Sequence, residues 1–198
     1  CDLAIVGGGF TGLWSALKAR EQHPDARIVL LEAGRCGKDA SGRTGGFCAP
    51  SISHGVSNAL DRHPGEAEAL IRLGRQNLAE YERDLESHGI DTGFKLSGKL
   101  NVAATPWQVE GLEAMARNYE RFGIDCELLS GSALSEKLDS PAYVAGLFEP
   151  NYALIHPAKT VKELRRVCIA NGVEIFEGTP VSGLSRDGAA IALQTPQA

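Results

Sequence analysis

The chain has 198 residues, of which 43% are hydrophobic and 23% charged. That balance suits a globular protein with one substantial core or two small ones. A net charge of -5 without a basic cluster excludes nucleic acid or an anionic membrane surface as the main partner, and no apolar run reaches membrane-spanning length.

The five cysteines (Cys1, Cys36, Cys48, Cys126 and Cys168) are odd in number and scattered, with no C-x-x-C pair and no histidine at ligand spacing. They read as free thiols of a reducing, cytoplasmic compartment, with neither a disulfide framework nor a metal site. No signal peptide is visible, and the chain enters a strand pattern within three residues and closes after another. It reads as an N-terminal fragment of a longer protein.

In chain order, Leu3 to Val6 is a short apolar run of the kind buried on both faces of a parallel sheet. The sequence GGGFTG, Gly7 to Gly12, follows at once, and Leu13, Trp14, Ala16 and Leu17 recur at helical spacing until His23-Pro24-Asp25. Arg27 to Glu32 is a second buried strand. Gly7 permits the turn out of the strand, Gly9 lets the backbone approach a pyrophosphate, and Gly12 allows the helix to pack closely. The free N–H groups at the helix start would face the phosphates. Glu32 lies about 20 residues beyond Gly12, where an acid can accept hydrogen bonds from ribose hydroxyls. The strand, the helix and the acid together make this a dinucleotide site and not a structural glycine turn.

A plain NAD domain would continue into a crossover helix and a third parallel strand. Here a glycine-rich loop, Gly34 to Ser51, comes instead and favours FAD. A short helix is expected near Ser57 to Asp61, then an amphipathic helix over 66–88 with the stripe Leu70, Ile71, Gly74, Leu78, Tyr81 and Leu85, stopped by Gly89. Phe94 to Ala104 reads as a bent strand or hairpin around Ser97-Gly98. Thr105-Pro106-Trp107-Gln108 is a capping box opening a helix to Phe122, with Val109, Leu112, Met115 and Tyr119 facing a core. A strand, a short helix near 133–138 and YVAGLFEP follow. His156-Pro157 starts a further helix with His156 as its cap and Gly172 as its stop; Val173 to Glu177 is another strand of the parallel sheet. Strands near 181–185 and 189–195 form a hairpin turning at Arg186-Asp187-Gly188.

DLAIVGGGFTGLWSALKAR, VLLEAGRCGKDASGRTGGF and IHPAKTVKELRRVCIANGVEIFEGTPV, in that order, resemble the D-amino-acid-oxidase-like FAD-dependent oxidoreductases. The loop is similar to the A-S-G-R-N-G-G loop of the gamma-glutamylputrescine oxidase branch. The resemblance implies an α/β fold: a Rossmann-like FAD-binding domain of the glutathione-reductase type, discontinuous over 1–91 and 151–198. Residues 92–150 would be the first part of an inserted α+β substrate-binding domain. It also implies that Gly7, Gly9, Phe10, Thr11, Gly12, Glu32 and Ala33 contact FAD. In the loop it adds Gly37, Ala40, Ser41, Gly42, Arg43, Thr44, Gly45 and Gly46, and further on Val181, near the adenine.

The residue types of the loop agree. Small residues let the backbone approach a ligand, Ser41 can donate to a phosphate, successive N–H groups form an anion nest, and Arg43 can offset negative charge on pyrophosphate or reduced flavin. The implied activity is oxidation of the C–N bond of an amine or amino acid. Hydride passes to flavin N5, the imine is hydrolysed, and oxygen or another acceptor takes the electrons. The second reading is a truncated FAD- or ADP-binding piece without activity of its own. No catalytic residue is assigned: the loop carries Arg43 but no histidine before His54, and Cys48 reads as a buried thiol and not as a covalent flavin link.

Overall fold

The computed structural model describes residues 1–188 and 190–196. They form two compact units, the first made of residues 1–46, 84–93 and the chain from 156 onward, the second of residues 47–83 and 94–155. Residues 47–83, grouped with the first domain from sequence, thus cluster with the second unit.

The first unit is built on three parallel strands: β1 (Leu3–Val6), β2 (Ile28–Leu31) and, after a long excursion of the chain, β9 (Glu174–Phe176), in the order β1-β2-β9. Leu3 pairs with Ile28 and Val29 with Glu174. α1 (Phe10–Gln22) crosses from β1 to β2, and α6 (Pro157–Ala170) leads into β9. Leu13 and Leu17 of α1, Ile28 and Leu30 of β2, and Leu164 and Cys168 of α6 are fully buried. The Cys168 thiol donates to the Leu13 carbonyl, 3.3 Å away. Lys18 and Glu21 of α1 pair with Asp84 and His88, each at 2.6 Å.

One expectation fails here. β2 is buried as the central strand, but β1 is not: Leu3 is 39% and Val6 58% exposed. Among the described residues β1 has one strand neighbour, so one flank of an apolar run stays open. β10 (Gly183–Asp187) and β11 (Ala190–Gln194) pair as the expected antiparallel hairpin around Gly188 at φ 58°; Ala189, assigned to its second strand from sequence, lies outside the described residues.

In the second unit, β5 (Lys99–Ala103), β7 (Ala145–Glu149) and β6 (Glu127–Ser130) form an antiparallel sheet in the order β5-β7-β6. α4 (Pro106–Arg121) lays Leu112 and Tyr119 on it, flanked by Val109 and Met115, as its stripe predicts. α2 (Val56–Arg62) and α3 (Ala67–Ser87) contribute Val56 and Ile71 to the same core. α5 (Gly131–Lys137) is the short helix after β6.

Of the two readings around Ser97-Gly98, a bent strand or a hairpin, the structure has the bent strand, and the bend carries it from one sheet to another. β4 (Lys95–Leu96) pairs with β8 (Ala153–Leu154), which also pairs with β3 (Phe47–Cys48), while β5 pairs with β7. At the bend the N–H groups of Ser97 and Gly98 both donate to the Tyr152 carbonyl, and Gly98 takes φ 76°. A left-handed φ is cheap only for glycine, so the switch sits where the sequence allows it.

Candidate cofactor site

The geometry of the first unit starts from its glycines. Gly7 leaves β1 at φ 105°, a conformation that a side chain would strain. A Cβ on Gly12 would run into the Gly7 carbonyl, so the third glycine lets α1 close down on the turn itself. A Cβ on Gly9 would lie 2.8 Å from the Ser41 hydroxyl. The second loop therefore also closes up to Gly9, where a side chain would meet Ser41.

That loop is tied to the first turn. Gly37 N–H donates to the Gly8 carbonyl at 3.0 Å, and Phe10 N–H, at the start of α1, donates to Ser41 Oγ at 3.1 Å. A Cβ on Gly42 would strike the Gly37 carbonyl, and one on Gly37 would meet Val161 of α6 at 2.6 Å, so the loop is packed between the turn and α6. Gly9 caps α1 without a side-chain hydrogen bond. Among the described residues the N–H groups of Thr11 and Gly12 meet no acceptor, the condition that makes a helix start attract anions.

Glu32 joins three segments. Its Oε2 accepts from Gly8 N–H and its Oε1 from Gly34 N–H, both at 2.7 Å. Its backbone N–H donates to Phe176 of β9 and its carbonyl accepts from Thr179. A carboxylate has about four acceptor positions; two are used, which leaves acceptor capacity on both oxygens. Glu177 plays a parallel part, accepting from Cys36 N–H at 2.8 Å and pairing with Arg165 at 3.0 Å. The Cys36 N–H, and with it Arg165, holds the Glu177 carboxyl below its ordinary range against the pull of burial.

These contacts enclose a shallow cavity of about 200 Å³ lined by Gly9, Glu32, Gly37, Ala40 and Ser41, together with Arg35, Lys38 and Asp39. The first five are residues expected from sequence. Lys38 and Asp39 lie within the 37–46 loop that the resemblance sets against FAD; Arg35, just before that loop, was missed, although two cations beside a glycine-rich turn signal a phosphate. Arg43 lies outside this lining, exposed, with Nε donating to the Lys38 carbonyl at 2.8 Å. Thr44 and Gly45 are exposed and Gly46 is buried. Val181 is half-buried between Thr179, bound to Glu32, and Ser182, bound to Gln194.

His156 caps α6, its Nδ1 accepting from Lys159 N–H at 3.3 Å. All five cysteines are free, and burial pushes the Cys48 thiol up to about 11, which keeps it protonated and unreactive at neutral pH. Among the described residues no helix is long and apolar enough to cross a membrane, and no cluster of three His, Cys, Asp or Glu is placed to hold a metal ion.

The cradle fits an FAD nucleotide: glycines where a Cβ would fill it, free N–H groups at a helix start, a hydroxyl beside them and a carboxylate with open acceptor positions. Comparison with known proteins agrees. The chain is 32% identical over 195 residues to gamma-glutamylputrescine oxidoreductase of Escherichia coli K12, covering 96% of this chain and 45% of the relative. It is 28% identical to a probable oxidoreductase, OrdL, of Haemophilus influenzae, again covering 45% of it. Glycine oxidase from Geobacillus kaustophilus superimposes with a TM-score of 0.85 at 21% identity, over 99% of this chain and 51% of that one. The chain thus spans about half the length of the relatives it matches. The profile of the FAD dependent oxidoreductase family, DAO, matches residues 2–198, and the chain belongs to that family.

Proposed function

We propose that the protein containing this chain oxidises the C–N bond of an amine or amino acid, and that this chain supplies most of the nucleotide-binding half of its FAD site. The observation that carries the reading is the junction of Glu32, Gly8, Gly34 and Ser41 at the start of α1, in a chain similar to a gamma-glutamylputrescine oxidoreductase.

The residues take these parts. Glu32 accepts from the ribose hydroxyls with the acceptor positions that Gly8 and Gly34 leave open, and Ala33 borders the same ribose. Gly7, Gly9 and Gly12 keep side chains out of the pyrophosphate path, and the N–H groups of Phe10, Thr11 and Gly12 end on it. Ser41 accepts from Phe10 N–H, so its own hydroxyl proton is directed outward to a phosphate oxygen. Gly37, Ala40 and Gly42 let the loop backbone close over the nucleotide. Arg43, anchored through Nε to the Lys38 carbonyl, keeps its terminal nitrogens for negative charge on the cofactor, with Thr44, Gly45 and Gly46 carrying the backbone past the ring system. Val181 borders the adenine. When bound, FAD supplies the two-electron acceptor for the carbon bearing the nitrogen. Residues 92–150 would begin the substrate domain, the electron acceptor would be oxygen or another small oxidant, and the compartment would be the cytoplasm.

Reconstitution tests this. The purified protein is mixed with FAD and its flavin absorption is followed while primary amines and amino acids are added. Retention of flavin and bleaching by one of these substrates is the expected result. Retention without bleaching by any of them would support the reading of a nucleotide-binding piece without activity, and failure to take up FAD would defeat both.

A further inference from the structure

The second unit holds a cavity of about 320 Å³ that the nucleotide site does not use, and one buried charge sits in its wall. Glu149, at the end of β7, is 5% exposed. One of its oxygens, Oε2, accepts from the Tyr119 hydroxyl at 3.2 Å; among the described residues the other has no hydrogen-bond donor. A buried carboxylate with one oxygen left without a donor is costly unless a cation meets it.

Three basic residues also line this cavity, and their environments differ from that of the carboxylate. His54 and Arg75 are exposed, where water satisfies them, and Arg75 spends one nitrogen on the Gly123 carbonyl. Lys99 stands opposite Glu149 across the β5–β7 pair, yet its ammonium lies over the Tyr152 ring, 5.0 Å from the centroid, and closes no ion pair with the carboxylate among the described residues. Burial holds Glu149 above the usual carboxylate range, while Tyr119 and Lys99 pull it down.

The wall bears a second mark of function. His54 adopts φ 59°, the single left-handed non-glycine residue among those described, followed by Gly55 at φ 103°. The Ser51 hydroxyl fixes this turn by accepting from the N–H groups of Ser53 and Gly55, at 3.3 and 2.8 Å. Backbone held in a sparsely populated region tends to occur where a ligand is positioned.

We propose that this cavity binds a small protonated amine, whose ammonium group pairs with the open oxygen of Glu149 beside the rings of Tyr119 and Tyr152. The carboxylate decides the sign of the ligand because it alone among the charged lining groups is buried, while the others are half-exposed or exposed. Aromatic faces add attraction for a cation. Whether the amine is the compound oxidised or a separate effector depends on the proposed amine-oxidation reading, which the occupancy itself does not need.

The test is calorimetric titration of the full-length, FAD-loaded protein with n-butylammonium chloride and, separately, sodium butyrate. Saturable binding of butylammonium is expected, weakened roughly 10- to 100-fold in Glu149→Gln, the range for losing a charge-assisted hydrogen bond. Lys99→Met, which removes a like charge at a half-exposed position, keeps or tightens it. Butyrate does not bind. The proposal is overturned by no saturable heat with butylammonium, by unchanged affinity in Glu149→Gln, by binding of butyrate instead, or by loss of binding in Lys99→Met. If Glu149→Gln does not fold, the Lys99→Met and butyrate arms still decide.

Flavin absorption recorded in the same samples separates the two readings. Glu149-dependent binding with no bleaching by any amine would leave this site standing and remove the oxidase reading. Bleaching by an amine together with butylammonium affinity unchanged in Glu149→Gln would do the reverse.

Discussion

Glu32 was singled out in the sequence as a candidate ribose acid, but its two backbone partners were not legible there, because they are set by how two loops meet at the end of β2. The contacts make Glu32 a structural tie, whatever part it plays toward the ribose. In Glu32→Gln one oxygen must replace two and an amide N–H₂ would face a backbone N–H, so a loss of about 1–3 kcal/mol is expected even without cofactor. Denaturant unfolding checks this, and an unchanged midpoint would show that the two hydrogen bonds carry no weight. Gly12 is the sharper case. A methyl there meets the Gly7 carbonyl, a backbone atom that cannot swing away. Gly12→Ala is expected to cost about 1–3 kcal/mol by overpacking and to abolish FAD uptake, measured as flavin retained after gel filtration.

Among the helices, the same substitution has opposite consequences at two glycines. Gly74, buried in α3, lets the helix lie against the loop at Pro50-Ser51: its Cβ would come within 2.6 Å of the Pro50 carbonyl oxygen and of Ser51 Cα. Alanine gains about 0.8–1.0 kcal/mol of helix propensity at such a position, but the clash with fixed backbone, about 1–3 kcal/mol, opposes and outweighs it. Gly111, exposed in α4, has nothing within 4 Å of its Cβ. Gly111→Ala is expected to raise Tm and Gly74→Ala to lower it, and thermal denaturation of both separates propensity from packing. The helical stripe containing Gly74 was readable from periodicity; that this glycine is a contact and not a weakness was not, because its neighbour lies more than 20 positions away in the chain. The N-terminal punctuation of α4 was local and therefore readable: Gln108 Oε1 accepts from the N–H groups of Thr105 and Ala104 at 3.1 and 2.8 Å.

Acid stability integrates contacts over the whole molecule. The Glu177 carboxyl is lowered from 4.5 by the Cys36 N–H and Arg165. A depressed carboxylate contributes stability that is present above its unfolded value and lost as pH falls through the folded one. Glu149 has the reverse sign: raised by burial, it favours the fold at low pH and is penalised as pH rises through its folded value. Glu177→Gln should therefore flatten the fall in Tm on acidification below about pH 4.5, whereas Glu149→Gln should hold or raise Tm at neutral pH and give no gain in acid. Melting curves over this range test both signs. What the sequence determined by itself is whatever depends on neighbours in the chain: the glycine turn between β1 and α1, the helical stripes, the caps at Gln108 and His156, the hairpin at Gly188, and the family to which the three motifs point. Tertiary structure decided the rest. It left β1 with an open flank, sent β4 and β5 to different sheets, seated Ser41 on the start of α1, and brought Tyr119 and Lys99 to Glu149 from separate elements. Periodicity and capping act over one or two turns of chain, whereas the burial of a strand or a charge depends on which distant segments come to lie against it.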